Sequence, residues 1–263
     1  AEHYSYNEIS ALGDDSKAPD DIQVEAYRVS SKKSLVFPLR YFTSETYHYK
    51  KYDKEKGLFA CKKNRRHKFV VFSTLSTLES EFKQSFDMIK NFYKPFGFEL
   101  FAKLYVGDAN LGGDLTKVKT LLKKTLDKKF GPFISIEGGY TKLDVMKVEY
   151  ILKDYLGRDF VIGNSYIDLI FSQKNNIVCE EDGKIVFPIT IVNNVCKSYE
   201  RLLAILIESY AGALPYWLAP TTVKIVAGDE DAKNKLTKEM LQWKLTTKTE
   251  KSKKNSIPKN KEK

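Results

Sequence analysis

Apolar positions along the chain fall into two periods. From Ser76 to Tyr93, Leu78, Phe82, Phe86, Ile89 and Tyr93 recur at steps of three and four, which predicts an amphipathic helix that Pro95 and Gly97 end. Leu115, Val118, Leu122 and Leu126 predict a second helix over 115–126. A strongly apolar third, over 199–210, stops at Gly212 and Pro215. Elsewhere the pattern suits strands. Between 35 and 52, aromatic and polar residues alternate (Phe42, Thr43, Ser44, Glu45, Thr46, Tyr47, His48, Tyr49), as in a half-buried strand. Further strands are expected over 69–72, 98–106, 145–152, 160–171, 185–195 and 222–226, with a turn at Gly157. Residues 2–29 read as polar and irregular, with turn signals at 13–15 and 18–20. Strands in hairpin-like succession with helices between them predict an α+β domain around a mainly antiparallel sheet. No short-period repeat interrupts this plan.

Charge changes the picture mostly at the ends. Lys plus Arg outnumber Asp plus Glu by 44 to 34, a formal charge of +10 that favours a polyanionic partner. The first 25 residues are acidic, with Asp14, Asp15, Asp20 and Asp21 opposed by Lys17. Residues 244–263 are Lys-rich and almost without apolar side chains after Leu245, which predicts a disordered basic tail over 246–263. A second basic cluster, Lys62 to Lys68, is expected to precede the strand at 69–72, with His67 on a solvated face. Cys61, Cys179 and Cys196 show no CxxC pair and read as reduced thiols of a non-secreted protein. No apolar run approaches the roughly 18 residues that span a bilayer, so no membrane partner is expected. The acidic start is neither a signal peptide nor an Arg-rich transit peptide.

At 198–226 the chain reads S-Y-E-R-L-L-A-I-L-I-E-S-Y-A-G-A-L-P-Y-W-L-A-P-T-T-V-K-I-V. This resembles motif 3 of threonyl-tRNA synthetases, which are class II enzymes, and the passage into their anticodon-binding domain. F-P-L-R-Y-F-T-S-E-T-Y-H-Y-K-K at 37–51 is similar to the motif 2 strand, F-Y-K-P-F-G-F at 92–98 to the helix-to-strand passage after it, and L-K-D-Y-L-G-R-D-F at 152–160 to the hairpin before the substrate strand. The resemblance covers roughly Gln23 to Val226. It implies a class II synthetase-like domain at 27–220, preceded by a polar acidic segment at 1–26 and followed by a remnant of the start of an anticodon-type domain at 221–245. Motif 1, the editing domain and the ubiquitin-like N-terminal domain have no counterpart in this sequence, so no stable homodimer is expected.

The resemblance also implies a chemistry that these residues do not supply. The motif 2 arginine that holds the α-phosphate of ATP falls at Tyr49, and the acid two residues later at Lys51. A phenol lacks the charged, bidentate fork of a guanidinium. The family's zinc ligands, one Cys and two His, fall at Asp20, Val70 and Val192, and aliphatic side chains cannot bind a metal. The substrate-strand glutamine falls at Tyr166. Arg201 keeps the motif 3 arginine position, where it reads as a structural ion pair at a helix start in preference to a nucleotide contact. The expectation is a pseudoenzyme with no catalytic residues, no metal and no cofactor, and with Tyr49 and Tyr166 filling the former pocket.

Four functions are compatible with this reading. A degenerate synthetase body with a basic tail is most like the synthetase-related protein of the mitochondrial ribosome large subunit, which implies a structural role in the mitochondrial matrix with rRNA and neighbouring ribosomal proteins as partners. The alternatives are an accessory subunit of another mitochondrial complex, a regulatory subunit using the old pocket, and a divergent active threonyl-tRNA synthetase fragment. The candidate RNA-binding residues are Lys62, Lys63, Arg65, Arg66 and Lys68 in the inner cluster, and Lys251, Lys253, Lys254 and Lys259 in the tail. Tyr47, Tyr49 and Tyr52 could stack on bases, though they read first as sheet residues.

Overall fold

The computed structural model describes residues 7–14, 24, 27, 37–48, 54–107, 113–137, 145–221, 223–227, 229–242 and 247–251. The chain divides into two compact units, Ala1–Ser209 and Tyr210–Lys263.

The first unit is built on an eight-stranded sheet in the order β1-β2-β3-β10-β7-β6-β4-β5. The strands are β1 (Asn7–Asp14), β2 (Leu39–His48), β3 (Lys63–Ser73), β4 (Leu100–Val106), β5 (Ile134–Glu137), β6 (Val145–Lys153), β7 (Asp159–Asp168) and β10 (Ile189–Asn194). A separate small hairpin pairs β8 (Cys179–Glu181) with β9 (Lys184–Val186). The six central strands pair antiparallel, and only the outermost pairs, β1 with β2 and β4 with β5, run parallel. The fold is therefore α+β around a mainly antiparallel sheet.

Helices α1 (Leu78–Tyr93) and α2 (Gly113–Phe130) cover one face of this sheet. Leu78, Phe82, Phe86, Ile89 and Tyr93 are all buried, as are Val118, Leu122 and Leu126, while Leu115 is half-buried. Gly97, in the left-handed conformation at φ 76°, closes the short turn after α1. On the covered face Val71, Ile191, Ile167 and Met146 stand opposite one another on neighbouring strands, and each is buried. A polar chain joins the same layers: the Tyr150 and Ser165 hydroxyls are 2.7 Å apart, Ser165 donates to Asn193 Oδ1 at 2.5 Å, and Asn193 Nδ2 donates to Ser85 on α1 at 2.9 Å. Because each member has a partner, burial of this chain costs little and fixes the helix against the sheet.

The remaining helices are the short α3 (Phe171–Lys174) and α4 (Tyr199–Ser209), with a 3-10 segment at Lys54–Ala60. In the second unit, β11 (Val223–Ala227) and β12 (Thr247–Lys251) pair in parallel, connected through α5 (Glu230–Gln242). Asp229 caps α5 by accepting the Ala232 N–H at 2.7 Å.

Several boundaries differ from the sequence reading. The 2–29 segment is not irregular throughout, since Asn7–Asp14 forms a strand that borrows its partner from β2. The expected strand at 185–195 is broken at Pro188, which cannot donate to a ladder, into β9 and β10. Strand β3 begins at Lys63, so the basic cluster lies within the ladder and not in a loop before it. The second unit holds two strands and a helix where the sequence suggested a single strand. Its residues Thr247–Lys251 pair along β11 where a disordered tail was expected, and the unit boundary falls at Ser209/Tyr210 and not at 220/221, just before the left-handed Ala211 and Gly212.

Candidate functional site

The open face of the sheet gathers the positions that the sequence reading singled out. Pairing register places Tyr41, Val70, Val192, Tyr166, Lys147 and Tyr105 in one row across six strands, pointing to the face that α1 and α2 leave open. The next row is Thr43, Lys68, Asn194, Asn164, Glu149 and Lys103. Val70, Val192 and Tyr166, on three different strands and more than a hundred residues apart at the extremes, thus stand side by side.

The face divides into two halves of opposite character. At the β2–β3 end, Val70 is fully buried within an apolar cluster formed with Val24, Tyr27, Tyr41, Phe72 and Ile177, against which Phe37, Leu39, Phe171 and Val192 pack. Tyr27 is held there by its hydroxyl, which donates to the Val178 carbonyl at 2.9 Å. Apolar side chains thus enclose Val70 and pack against Val192, the two positions that the sequence resemblance set against the family's histidine ligands. The filling comes from Val24, Tyr27, Phe171 and Ile177, which the sequence reading missed. The signal was faint: Val24 and Tyr27 are spaced i, i+3 inside a polar stretch. Tyr49, expected to help fill the pocket, and Asp20 lie outside the described residues. Tyr166 stands in the central row, half-buried, with its hydroxyl accepting from Asn164 Nδ2 at 3.4 Å.

At the β6–β7 end the face is polar and cationic. Lys147 pairs with Glu149, and its ammonium lies 5.4 Å from the centre of the Tyr105 ring and 6.0 Å from that of Tyr166. Burial alone would raise the Glu149 carboxyl, but the hydrogen bond and charge of Lys147, the Tyr105 hydroxyl and the charge of Lys197 outweigh it and hold the group below the usual range. Lys197, just after β10, is shifted the other way. Burial lowers its pKa, as do the neighbouring charges of Lys147, Arg66 and Arg201, with Glu149 opposing them.

Arg201 sits in the first turn of α4, where its backbone N–H donates to the Ser198 hydroxyl at 3.1 Å and its Nε donates to the Phe59 carbonyl at 2.9 Å. Ser198 in turn donates to Asn64 Oδ1 at 2.6 Å, and Glu200 accepts from the Arg65 backbone N–H at 3.3 Å. The S-Y-E-R segment thus ties the helix start to β3 and to the 3-10 segment.

The inner basic cluster is split by strand alternation. Lys62, Lys63 and Arg65 are exposed, with Arg65 also reaching the Ser44 hydroxyl at 3.4 Å. Arg66 is half-buried and Lys68 is only 7% exposed, so strand alternation turns these two to the other face of the sheet from Lys63 and Arg65, with less of each side chain in solvent. His67 is not on a solvated face either: its Nδ1 shares a 2.7 Å hydrogen bond with the Tyr199 hydroxyl, and its ring packs between those of Phe42 and Tyr199. Of the tail residues, Lys251 is the last residue of β12, and Lys253, Lys254 and Lys259 lie outside the described residues. Tyr47 lies within β2, and Tyr52 lies outside the described residues. Cys61, Cys179 and Cys196 are free thiols, and burial pushes the latter two up to about 11.

No protein-family model matches the chain. A threonine–tRNA ligase of Acetivibrio thermocellus is 34% identical over 160 residues, covering 59% of this chain and 25% of that protein. The chain is homologous to threonine–tRNA ligases. The threonine–tRNA ligase of Cereibacter sphaeroides extends the match to 236 residues at 29% identity, 88% of this chain and 36% of the relative. The chain therefore spans about a quarter to a third of the length of these ligases. A solved structure described as the RNA binding domain of threonyl-tRNA synthetase from Cryptosporidium parvum superposes with a TM-score of 0.75 at 19% identity, covering 88% of this chain and 60% of that one. The fold is thus that of a threonyl-tRNA synthetase-like domain. Among the described residues no helix is long and apolar enough to cross a membrane.

Proposed function

We propose that this chain is a non-catalytic structural component of the mitochondrial ribosome large subunit, located in the matrix, which uses a synthetase-derived domain as a scaffold for rRNA and neighbouring proteins. The observation that carries the non-catalytic part is the filling of the β2–β3 half of the open face. Where the homologous enzymes' metal ligands align, Val70 and Val192 pack among Tyr41, Phe72 and Tyr27. Motif 2 offers Tyr49 at the position of the phosphate-binding arginine. Arg201, the residue kept from motif 3, directs its Nε to a backbone carbonyl.

Support for an RNA partner comes from the charge of +10 and from Lys62, Lys63 and Arg65, exposed together at the start of β3. The likeness to a synthetase domain described as RNA binding points the same way. The ribosomal placement rests on the resemblance of a degenerate synthetase body to a known architectural use of that fold.

The catalytic question is tested by threonine-dependent ATP–pyrophosphate exchange with the purified chain. The expected result is exchange at the level of the no-enzyme control. Exchange that requires threonine and disappears in Arg201→Ala would instead identify an active synthetase fragment.

A further inference from the structure

We propose that the outer face of α2 is a docking surface for the phosphate backbone of duplex RNA, made by the row Lys117, Lys124 and Lys128. The proposal rests on the RNA partner proposed above and adds a second contact surface to the basic residues at the start of β3.

α2 carries six Lys against two Asp, and its helical period sorts them. Val118, Leu122, Thr125 and Leu126 are buried toward the sheet, while Lys117, Lys124 and Lys128 are exposed. Steps of seven and four bring these three within about 40° of one another around the axis, in a row about 16 Å long. Thr116 and Thr120, also exposed, line one shallow groove with Lys117, Leu121 and Lys124. Ammonium and hydroxyl groups thus meet along the same strip of surface, and both donate to phosphate oxygens without regard to sequence. Glu79 on α1, the acid that faces Lys124 and Lys128 from the neighbouring helix, is paired with Lys83 at 2.7 Å.

The side chains of this face decide between partners. Among the described residues the exposed large apolar side chains all lie outside α2. A membrane-surface helix buries an apolar face at the lipid boundary, and a protein interface is anchored by aromatic or Arg side chains. α2 presents lysines instead, hydrated point charges suited to a row of phosphates. A single strand stacks its bases on aromatic rings, but the one ring of α2, Phe130, packs against Phe86 at 5.8 Å and Tyr150 at 5.5 Å between centres. A straight, rigid row without a stacking ring matches a duplex, which proteins recognise by its shape and phosphates.

The row also lies far from the first basic surface. Leu115, in the first turn of α2, lines a cavity with Thr74 and Leu75, which directly follow β3. Lys62, Lys63 and Arg65 stand at the opposite end of that strand, about 33 Å away at about 3.3 Å per residue. The first unit is thereby equipped to hold two stretches of RNA backbone at a fixed separation.

The test is fluorescence anisotropy of the full chain with a labelled RNA duplex of about 20 base pairs across a salt series. It is run in the chain whose Lys62, Lys63 and Arg65 are replaced by Ala, so that the β3 surface does not mask α2. Salt-dependent duplex binding should persist in that chain. Adding Lys117→Gln, Lys124→Gln and Lys128→Gln together should weaken it about tenfold or more and lower the magnitude of the log affinity against log salt slope by about 2–3. The corresponding Arg replacements keep the charge and should keep the slope, which separates lost contacts from lost folding. Duplex binding by the unmodified chain that disappears in the Ala background would overturn the α2 surface and leave the RNA reading standing. No duplex binding by either chain would overturn both. An unchanged slope in the Gln variant, tighter binding of single-stranded RNA of the same length, or displacement of the duplex by polyglutamate at equal charge concentration would each reject a duplex-RNA surface on α2.

Discussion

Asp154 shows how much one carboxylate can organise. Its Oδ1 accepts the backbone N–H groups of Leu156 and Arg158 at 3.0 and 2.8 Å, its Oδ2 accepts Arg158 Nε at 2.7 Å, and Gly157 turns the chain at φ 77°. This turn joins β6 to β7 and so sets the register of Lys147, Glu149 and Tyr166 on the open face. Burial pushes the carboxyl up, but the hydrogen bonds and charge of Arg158 and the Leu156 N–H outweigh it, leaving the pKa below the usual value. A carboxyl lowered in the folded state contributes its full stability above the range in which an unfolded aspartate titrates, and loses it as pH falls through the folded-state value. Asp154→Ala should therefore cost about 2 kcal/mol at neutral pH, with a smaller difference from the unmodified chain at acid pH, below the range in which an unfolded aspartate titrates. Urea denaturation at the two pH values measures both. Residues of this kind are hard to read in advance. Glu81 is another: it lies on the buried side of α1 beside Leu78 and Phe82, where it takes Arg40 in a two-pronged pair at 2.6 and 3.0 Å. The helical period marks its position as inward, but only the sheet shows that Arg40 is there to meet it.

Among the elements, β7 and the end of β10 approach closely at Gly163. A Cβ added at Gly163 would stand 2.7 Å from the Val195 carbonyl oxygen and 2.8 Å from that of Asn194, both of them backbone atoms that cannot swing aside. Gly163→Ala should destabilise the first unit by about 2 kcal/mol, read by urea denaturation, because the strands must separate to admit one methyl group. The helices α1, α2 and α4 were legible in the sequence to within a few residues, since their apolar steps of three and four coincide with the burial found. The strands β1 and β5 and the second strand of the second unit were not. Residues 7–14 and 247–251 carry little apolar alternation and gain their strand conformation from pairing with β2 and β11. Pairing is a long-range property that local pattern does not report. The same limit hid the split of the basic cluster. Lys62 to Lys68 is one charge run in sequence, but a strand sends Arg66 and Lys68 to one face and Lys63 and Arg65 to the other. The candidate site was legible as substitutions at Val70, Val192 and Tyr166 and as the arginine kept at Arg201. The residues that cover the valines, and the lysines of the opposite half, became visible only once the register brought them together.

The first unit combines apolar packing around Val70 with exposed basic side chains at the start of β3, and the proposed RNA-contacting scaffold rests on both. The two parts of the inner basic cluster should then behave differently. Replacing Lys62, Lys63 and Arg65 together with Ala should weaken binding to a structured RNA and lower the magnitude of the log affinity against log salt slope by about 2–3, since each phosphate contact contributes close to one unit on a duplex. Arg66→Ala should leave that slope within about half a unit of the unmodified value, because its side chain is half-buried on the other face of the sheet. Filter binding across a salt series separates the two. The assembly itself is tested most directly by gradient sedimentation of a mitochondrial lysate containing the tagged full chain. The account predicts that the chain travels with the large ribosomal subunit and stays there at moderate salt, in the absence of any threonine-dependent activity. A chain found only in free fractions, or with another complex while large subunits sediment intact, would contradict it.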